Sequence, residues 1–199
     1  MSQIRANAEI EIHPVISNRW SPRAFDNRAV NRAKLLACLE AARWSSSCFG
    51  EEPWRFIVAD RNSNMDGWKR MLSALAEKNQ LWAKDAPVLI LACAANNFSH
   101  NGNPNRWSQY DTGQAMMSLA LQATAEGLIT HSMGGFDLAA VAAAFDIPED
   151  YTAMSVTALG YQGQTDSLDE GFRSIESAER SRKPISEIAF TSWNQSLQV

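Results

Sequence analysis

Residues 111–126 read DTGQAMMSLALQATAE, and the fold follows from how widely the apolar residues of that stretch spread around a helix. Ala115, Met116, Met117, Leu119, Ala120, Leu121 and Ala123 surround most of a helix circumference with apolar side chains. A helix of that kind must be buried nearly all round, inside a large core or against another subunit. Asp111 is placed to cap its start, and Gly127 to end it.

Working outward, PVLILACA at 87–94 is apolar on both faces, with Pro87 able only to open the strand. RFIVA at 55–59 reads as a second buried strand. Residues 31–43 place Leu35, Leu36, Leu39 and Ala42 at helical spacing behind Asn31 as N-cap. Met65 to about Lys78 is predicted helical, with a second short turn through Trp82. Downstream, 128–132 is strand-like, 138–145 forms a helix stopped before Pro148, and 151–159 alternates as a strand. Nothing in the pattern marks a repeat or linker, so residues 1–199 are expected to form one domain. The order of elements predicts an α+β layered fold, with helices covering a small sheet.

The totals narrow the function. A chain of 199 residues with 45% hydrophobic content can bury a sizeable core. A net charge of -4 and a pI near 5.4 argue against nucleic acid as partner. Cys38, Cys48 and Cys93 are odd in number and have neither CxxC nor Cys/His spacing, which suits a reducing compartment. The N-terminal stretch lacks a secretory apolar run, and residues 87–95 fall short of the ~20 residues of a membrane span. A cytoplasmic protein that leaves membranes alone is expected.

Four clusters carry chemistry. Arg19-Trp20-Ser21-Pro22-Arg23 sets two guanidinium groups around a hydroxyl, a competent phosphate site that alone also fits a solvated basic turn. Arg180-Ser181-Arg182-Lys183-Pro184 repeats the theme near the other end of an acidic chain. Ser45, Ser46 and Ser47 open a small, polar loop that lets a planar ligand approach the backbone. Gly134 and Gly135 follow a strand, where their N–H groups can face a ligand or simply make a turn. The chain has no GxGxxG, phosphate loop, GxSxG elbow or metal spacing among His13, His100 and His131. No catalytic side chain and no metal are therefore assigned, and His131 reads as a packed or surface histidine.

Taken in order, RWSPRAF, ARWSSSCFGEEPWRFIV, WAKDAPVLILA, YDTGQA, HSMGGFD and RSRKPISEI resemble the nitroreductase family of FMN enzymes over essentially the whole chain. The resemblance implies a layered fold with a small mixed β-sheet and an intertwined homodimer holding FMN at the subunit interface. It matches Arg19, Trp20, Ser21 and Arg23 to the flavin phosphate and ribityl chain, and Arg180 and Arg182 to further phosphate contacts. Ser45, Ser46 and Ser47 match the loop that meets the ring, Asn79 the pyrimidine edge, and the Gly134–Gly135 backbone the flavin N5. The long helix would pack in the dimer core. The family's N-x-Q-P-W motif is altered here, with Gly50 and Glu52 at the two amide positions. An ionised Glu52 beside the ring would oppose flavin reduction, with Arg23 the nearest cation to offset it. The other expectation is that Glu52 faces solvent or pairs with Arg55.

The implied activity passes electrons from NAD(P)H to a small nitroaromatic or quinone acceptor by a ping-pong mechanism. The alternatives are a flavin-binding protein without turnover, for storage or sensing, or a family enzyme of divergent chemistry such as a dehydrogenase or reductive dehalogenase.

Overall fold

The computed structural model describes residues 6–197; residues 1–5, where the N-terminal stretch considered above begins, and 198–199 lie outside it. A short helix, α1 (Pro14–Asn18), leads through β1 (Phe25–Asp26) into α2 (Arg32–Arg43). Next come β2 (Trp54–Asp60), α3 (Met65–Ser73), α4 (Glu77–Ala83) and β3 (Val88–Ala95). They are followed by α5 (Ser108–Ala125), β4 (Ile129–Met133), α6 (Leu138–Phe145) and β5 (Tyr151–Gln162). After these stand α7 (Glu170–Glu176) and a hairpin of β6 (Phe190–Ser192) and β7 (Gln195–Ser196).

β3 is buried along nearly its whole length and explains the layering. Leu89, Leu91 and Cys93 point to one face, where Trp68, Met71, Trp82 and Val141 from α3, α4 and α6 cover them. Val88 and Ile90 point to the other, against Leu35, Cys38 and Ala42 of α2 and Ala115, Leu119 and Ala123 of α5. The period-two alternation of one strand thus feeds two helical layers, which is why it reads as continuously apolar. Asn31 Oδ1 accepts the Ala33 N–H at 2.8 Å and starts α2, as its cap position predicts.

The sheet corrects one expectation. Every pairing among the described residues is antiparallel, not mixed: β2 with β3, and β3, β4 and β1 each with β5. β3 and β4 run the same way, as the two ends of a βαβ unit through α5 would, but β5 lies between them. The parallel ladder that would have made the sheet mixed never forms.

Two helix boundaries also move. The predicted helix from Met65 breaks at Ser73 because residues 74–76 pair elsewhere. Leu75 bridges Phe136, the Ala76 N–H donates to the Gly135 carbonyl at 2.9 Å, and the Asp137 N–H to that of Ala74 at 2.8 Å. α5 begins at Ser108 rather than Asp111, so Asp111 does not cap it. Its buried Oδ2 instead accepts the Cys48 N–H at 3.0 Å. Within one chain α5 also hides only one face. Ala115, Leu119 and Ala123 are buried, whereas Met117 is 51% exposed. No helix among the described residues is long and apolar enough to cross a membrane.

Candidate functional site

The two arginine clusters, some 160 residues apart in sequence, meet in space. Arg180 Nη1 donates to the carbonyl of Ser17, in α1, at 2.9 Å. Arg19 follows as the residue ending α1, in extended conformation, with Nη1 3.4 Å from Ser21 Oγ. Burial and the neighbouring Arg182 push the Arg19 guanidinium below its ordinary pKa; burial, Arg19 and Arg182 do the same to Arg180. Burial strips water from Arg19 and Arg180, and their charges and that of Arg182 repel, so the electrostatics of the cluster favour an anion. Among the described residues, no carboxylate makes a salt bridge to Arg19 or Arg182.

Arg23 is aimed differently. Its Cζ lies 6.0 Å from the Trp82 ring and 5.8 Å from that of Phe172. Its backbone N–H donates to both Glu176 oxygens, at 2.9 Å each, and the Ala24 N–H adds a third bond at 3.0 Å. The preceding carbonyl, of Pro22, accepts from His131 Nδ1 at 3.0 Å. A carbonyl can only accept, so Nδ1 carries the proton. Burial holds His131 down to about pKa 4, opposed by the Pro22 and Ser21 backbone contacts and reinforced by the Arg23 charge. The imidazole is therefore neutral near pH 7, packed on Trp82 with ring centroids 4.5 Å apart. Trp20 is half-buried on the same arm.

Residues 45–52 are stapled to α5. Ser45 Oγ donates to Ser118 Oγ at 2.8 Å, Ser46 Oγ to Gln114 Oε1 at 3.3 Å, and Ser47 Oγ accepts the Glu52 N–H at 3.0 Å. The loop runs through left-handed backbone at Phe49, Gly50 and Glu52. Glu52 faces solvent, as one expectation had it, but neither the pairing with Arg55 nor the offset by Arg23 forms. Arg55 bonds the carbonyl of Glu52 and not its carboxylate, at 3.0 Å. The cation that feels the Glu52 charge is Arg43 on α2, while Arg23 is engaged at Trp82 and Phe172. Glu51, which the motif comparison passed over, accepts the Ser99 N–H at 2.5 Å and approaches His100. Phe49 is left 86% exposed, edge-on to Phe98 and His100.

Asn79, on α4, reaches the glycine turn after β4, where its Nδ2 donates to the Gly135 carbonyl at 3.1 Å. A cavity of about 380 Å³ lies beside α5, lined in part by Arg19, Ser21, Thr112, Met116, Ser132 and Ser155. Thr112 is 1% exposed and its Oγ1 has no hydrogen-bond partner, a polar atom buried at the edge of a cavity. Neither the serine loop nor the Asn79–Gly135 turn lines this cavity. The site residues expected from sequence thus fall into three groups: the arginine arm, the serine loop on α5, and the Asn79–Gly135 turn. His131, Glu176 and Thr112 were not among them. None of the three left a sequence signal: Glu176 is the buried residue of a short helix that leaves Ile175 exposed, the reverse of what residue type predicts.

The chain matches the nitroreductase family over residues 16–161. It is 33% identical over 152 residues to an uncharacterised 15.4 kDa protein of Mycolicibacterium smegmatis, covering 72% of this chain and 99% of that one. It is 30% identical over 163 residues to a protein of Methanothermobacter thermautotrophicus provisionally named NADH dehydrogenase/NAD(P)H nitroreductase, covering 79% and 80% of the two chains. A solved structure described as an oxidoreductase containing FMN superposes with a TM-score of 0.91 at 32% identity, covering 99% of each chain.

Proposed function

The chain belongs to the nitroreductase family, and on that premise we propose that residues 1–199 form one FMN-binding unit that transfers electrons from NAD(P)H to a small organic acceptor. The observation that carries the reading is the convergence of Arg19, Arg180 and Arg182 into one mutually repelling cluster, in which Arg19 and Arg180 are partly buried and Arg19 lines the cavity with the unpartnered Thr112 hydroxyl. Those residues fit a flavin mononucleotide: one terminal phosphate suits one cationic cluster. Arg19, Arg180 and Arg182 would hold the phosphate, with Trp20, Ser21 and Arg23 along the ribityl chain. Ser45, Ser46, Ser47 and Asn79 would meet the ring edges, and the Gly134–Gly135 backbone would face N5. When bound, FMN supplies the two-electron chemistry of a ping-pong cycle between NAD(P)H and a nitroaromatic or quinone acceptor.

The side chains bind and orient; none need act as nucleophile. The neutral His131 holds its proton on Nδ1, against a carbonyl, so it keeps the arm in place without offering that proton to a substrate. We infer a cytoplasmic protein that is a homodimer, since the serine loop and the arginine arm do not share a cavity in one chain and Met117 on α5 stands exposed. A second copy would bring the separate groups together.

The test is spectroscopic. Purified protein should be yellow, release FMN on heating, bleach anaerobically with NADH or NADPH, and recover colour with a quinone. A yellow protein that neither donor bleaches would overturn the reductase reading in favour of a flavin-binding role.

A further inference from the structure

One peptide unit of the cationic arm is held at both of its polar ends by side chains from remote elements. The Pro22 carbonyl accepts from His131 Nδ1 at 3.0 Å, and the Arg23 N–H of the same unit donates to both Glu176 oxygens at 2.9 Å. His131 comes from β4 and Glu176 from the last turn of α7. Glu176 is 2% exposed and, among the described residues, makes no salt bridge; its carboxylate is satisfied by backbone N–H groups, including that of Ala24 at 3.0 Å. A buried carboxylate is costly, and an apolar side chain of similar size would fill the space more cheaply. What an apolar residue cannot do is fix the rotation of a peptide plane.

That plane sets where the neighbouring side chains start. It runs from the Cα of Pro22 to that of Arg23, so its rotation aims Arg23 directly and, through the ring-restricted Pro22, sets the course of the chain back to Ser21 and Arg19. Glu176 also stands four residues before Arg180, so the anchor that fixes the first cationic arm fixes the root of the second. The His131 ring is itself fixed by Trp82, which stacks on Phe25 with ring centroids 6.1 Å apart.

We propose that His131 and Glu176 are a pair of positioning residues that clamp the Pro22–Arg23 peptide and thereby hold the two arginine arms in register for a phosphate ester. The inference rests on the reading of residues 19–23 and 180–182 as the FMN phosphate site. It predicts that loss of the clamp falls on the phosphate and spares the ring.

The decisive quantity is the ratio of affinities for FMN and riboflavin, which differ by that phosphate, titrated by flavin fluorescence onto the full-length chain stripped of cofactor. The native chain should prefer FMN by more than about tenfold, the scale of one charge-assisted hydrogen bond. Glu176→Gln puts an amide N–H against backbone N–H groups and should narrow that ratio at least fivefold, with riboflavin binding nearly unchanged. His131→Phe keeps the ring on Trp82 but removes the donor and should do the same. His131→Asn restores a donor near the Nδ1 position and should recover the preference. If Glu176→Gln does not fold, the two His131 variants decide alone. A lower melting temperature with an undiminished FMN-to-riboflavin ratio would make the clamp merely structural and overturn the proposal. A native chain with no preference for FMN would overturn the phosphate reading and the clamp together, and that result needs no variant.

Discussion

Asn79 and Gly135 stand so close that one hydrogen bond and one steric limit involve the same atom. Asn79 Nδ2 donates to the Gly135 carbonyl at 3.1 Å, and a β-carbon on Gly135 would sit 3.1 Å from that nitrogen. At Gly134 a β-carbon would meet nothing within 4 Å. Gly135→Ala should therefore shift Asn79 and lower the melting temperature of the cofactor-free chain by a few degrees, about 1 kcal/mol. Gly134→Ala should leave that temperature unchanged. If Gly134→Ala nevertheless weakens FMN binding, the space at Gly134 is kept for the ligand; equal effects on both properties at both glycines would refute the distinction.

Replacing Arg182 by alanine should separate stability from binding. Arg182 adds to the repulsion that lowers the pKa of Arg19 and Arg180. The cofactor-free variant should melt no lower than the native chain, while FMN dissociates more readily. Removing Arg180 and Arg182 together should raise the FMN Kd by two orders of magnitude or more, at about 1.5–3 kcal/mol per charge-assisted bond. Calorimetric titration measures both effects. A double variant that binds FMN as tightly as the native chain would leave the arginine cluster without its assigned role.

Acid should destabilise the protein through His131. Its folded pKa of about 4 lies below the ordinary 6.5, so the unfolded chain takes up the proton first as pH falls. Stability from this residue is fully present above pH 6.5 and is lost as pH falls toward 4, with an upper limit of about 3.5 kcal/mol at ~1.4 kcal/mol per unit. Partial solvent access brings the loss below that limit. Thermal melts from pH 7 to 4.5 should show a shallower decline for His131→Phe than for the native chain. Parallel curves would assign the acid sensitivity to other groups.

The motif departure at Glu52 should matter less than its charge suggests. The residue is exposed, and its carboxylate acts on Arg43. In solvent of dielectric ~80, even a charge about 6 Å from a flavin contributes only ~0.7 kcal/mol, or about 15 mV for a two-electron couple. Glu52→Gln should move the FMN midpoint by less than that in a potentiometric titration. A shift of several tens of millivolts would put the carboxylate in a drier setting against the ring.

Of the three thiols, only Cys48 should react readily in the folded protein. Cys38 is 0% and Cys93 2% exposed, and burial pushes both thiols up to about 11. Cys48 is half-buried in the serine loop. Ellman titration should find one fast thiol per chain, slowed by FMN if the loop meets the ring. Three fast thiols would mean that the core opens under native conditions.

What the sequence made legible was whatever rests on periodicity and local caps. The Asn31 cap, the continuous burial of β3 and the Gly127 stop at α5 are local events, and all could be read directly. The start of α5 and the break in α3 could not be read, because each is decided by a partner far along the chain. Cys48 claims the Asp111 carboxylate, and Gly135 and Asp137 draw residues 74–76 out of the helix. The site divides in the same way. Arginines and glycines advertise themselves by type, although in the folded chain the glycine turn stands apart from the arginine arm. His131 and Glu176 act through one backbone peptide, which leaves no spacing for a motif to record.

Among the described strands β5 alone pairs with three others, and it spans residues 151–162. During synthesis, therefore, most of the chain leaves the ribosome before the sheet can close. Phe25 must wait for Gln162, and the peptide at Arg23 must wait longer still, for Glu176. Pairings this distant in sequence form late and slowly. Cofactor capture at the proposed site would consequently wait until the chain has been made through Glu176 and the second arginine cluster. Any stalled nascent chain would carry its arginines without the frame that gives them a common target.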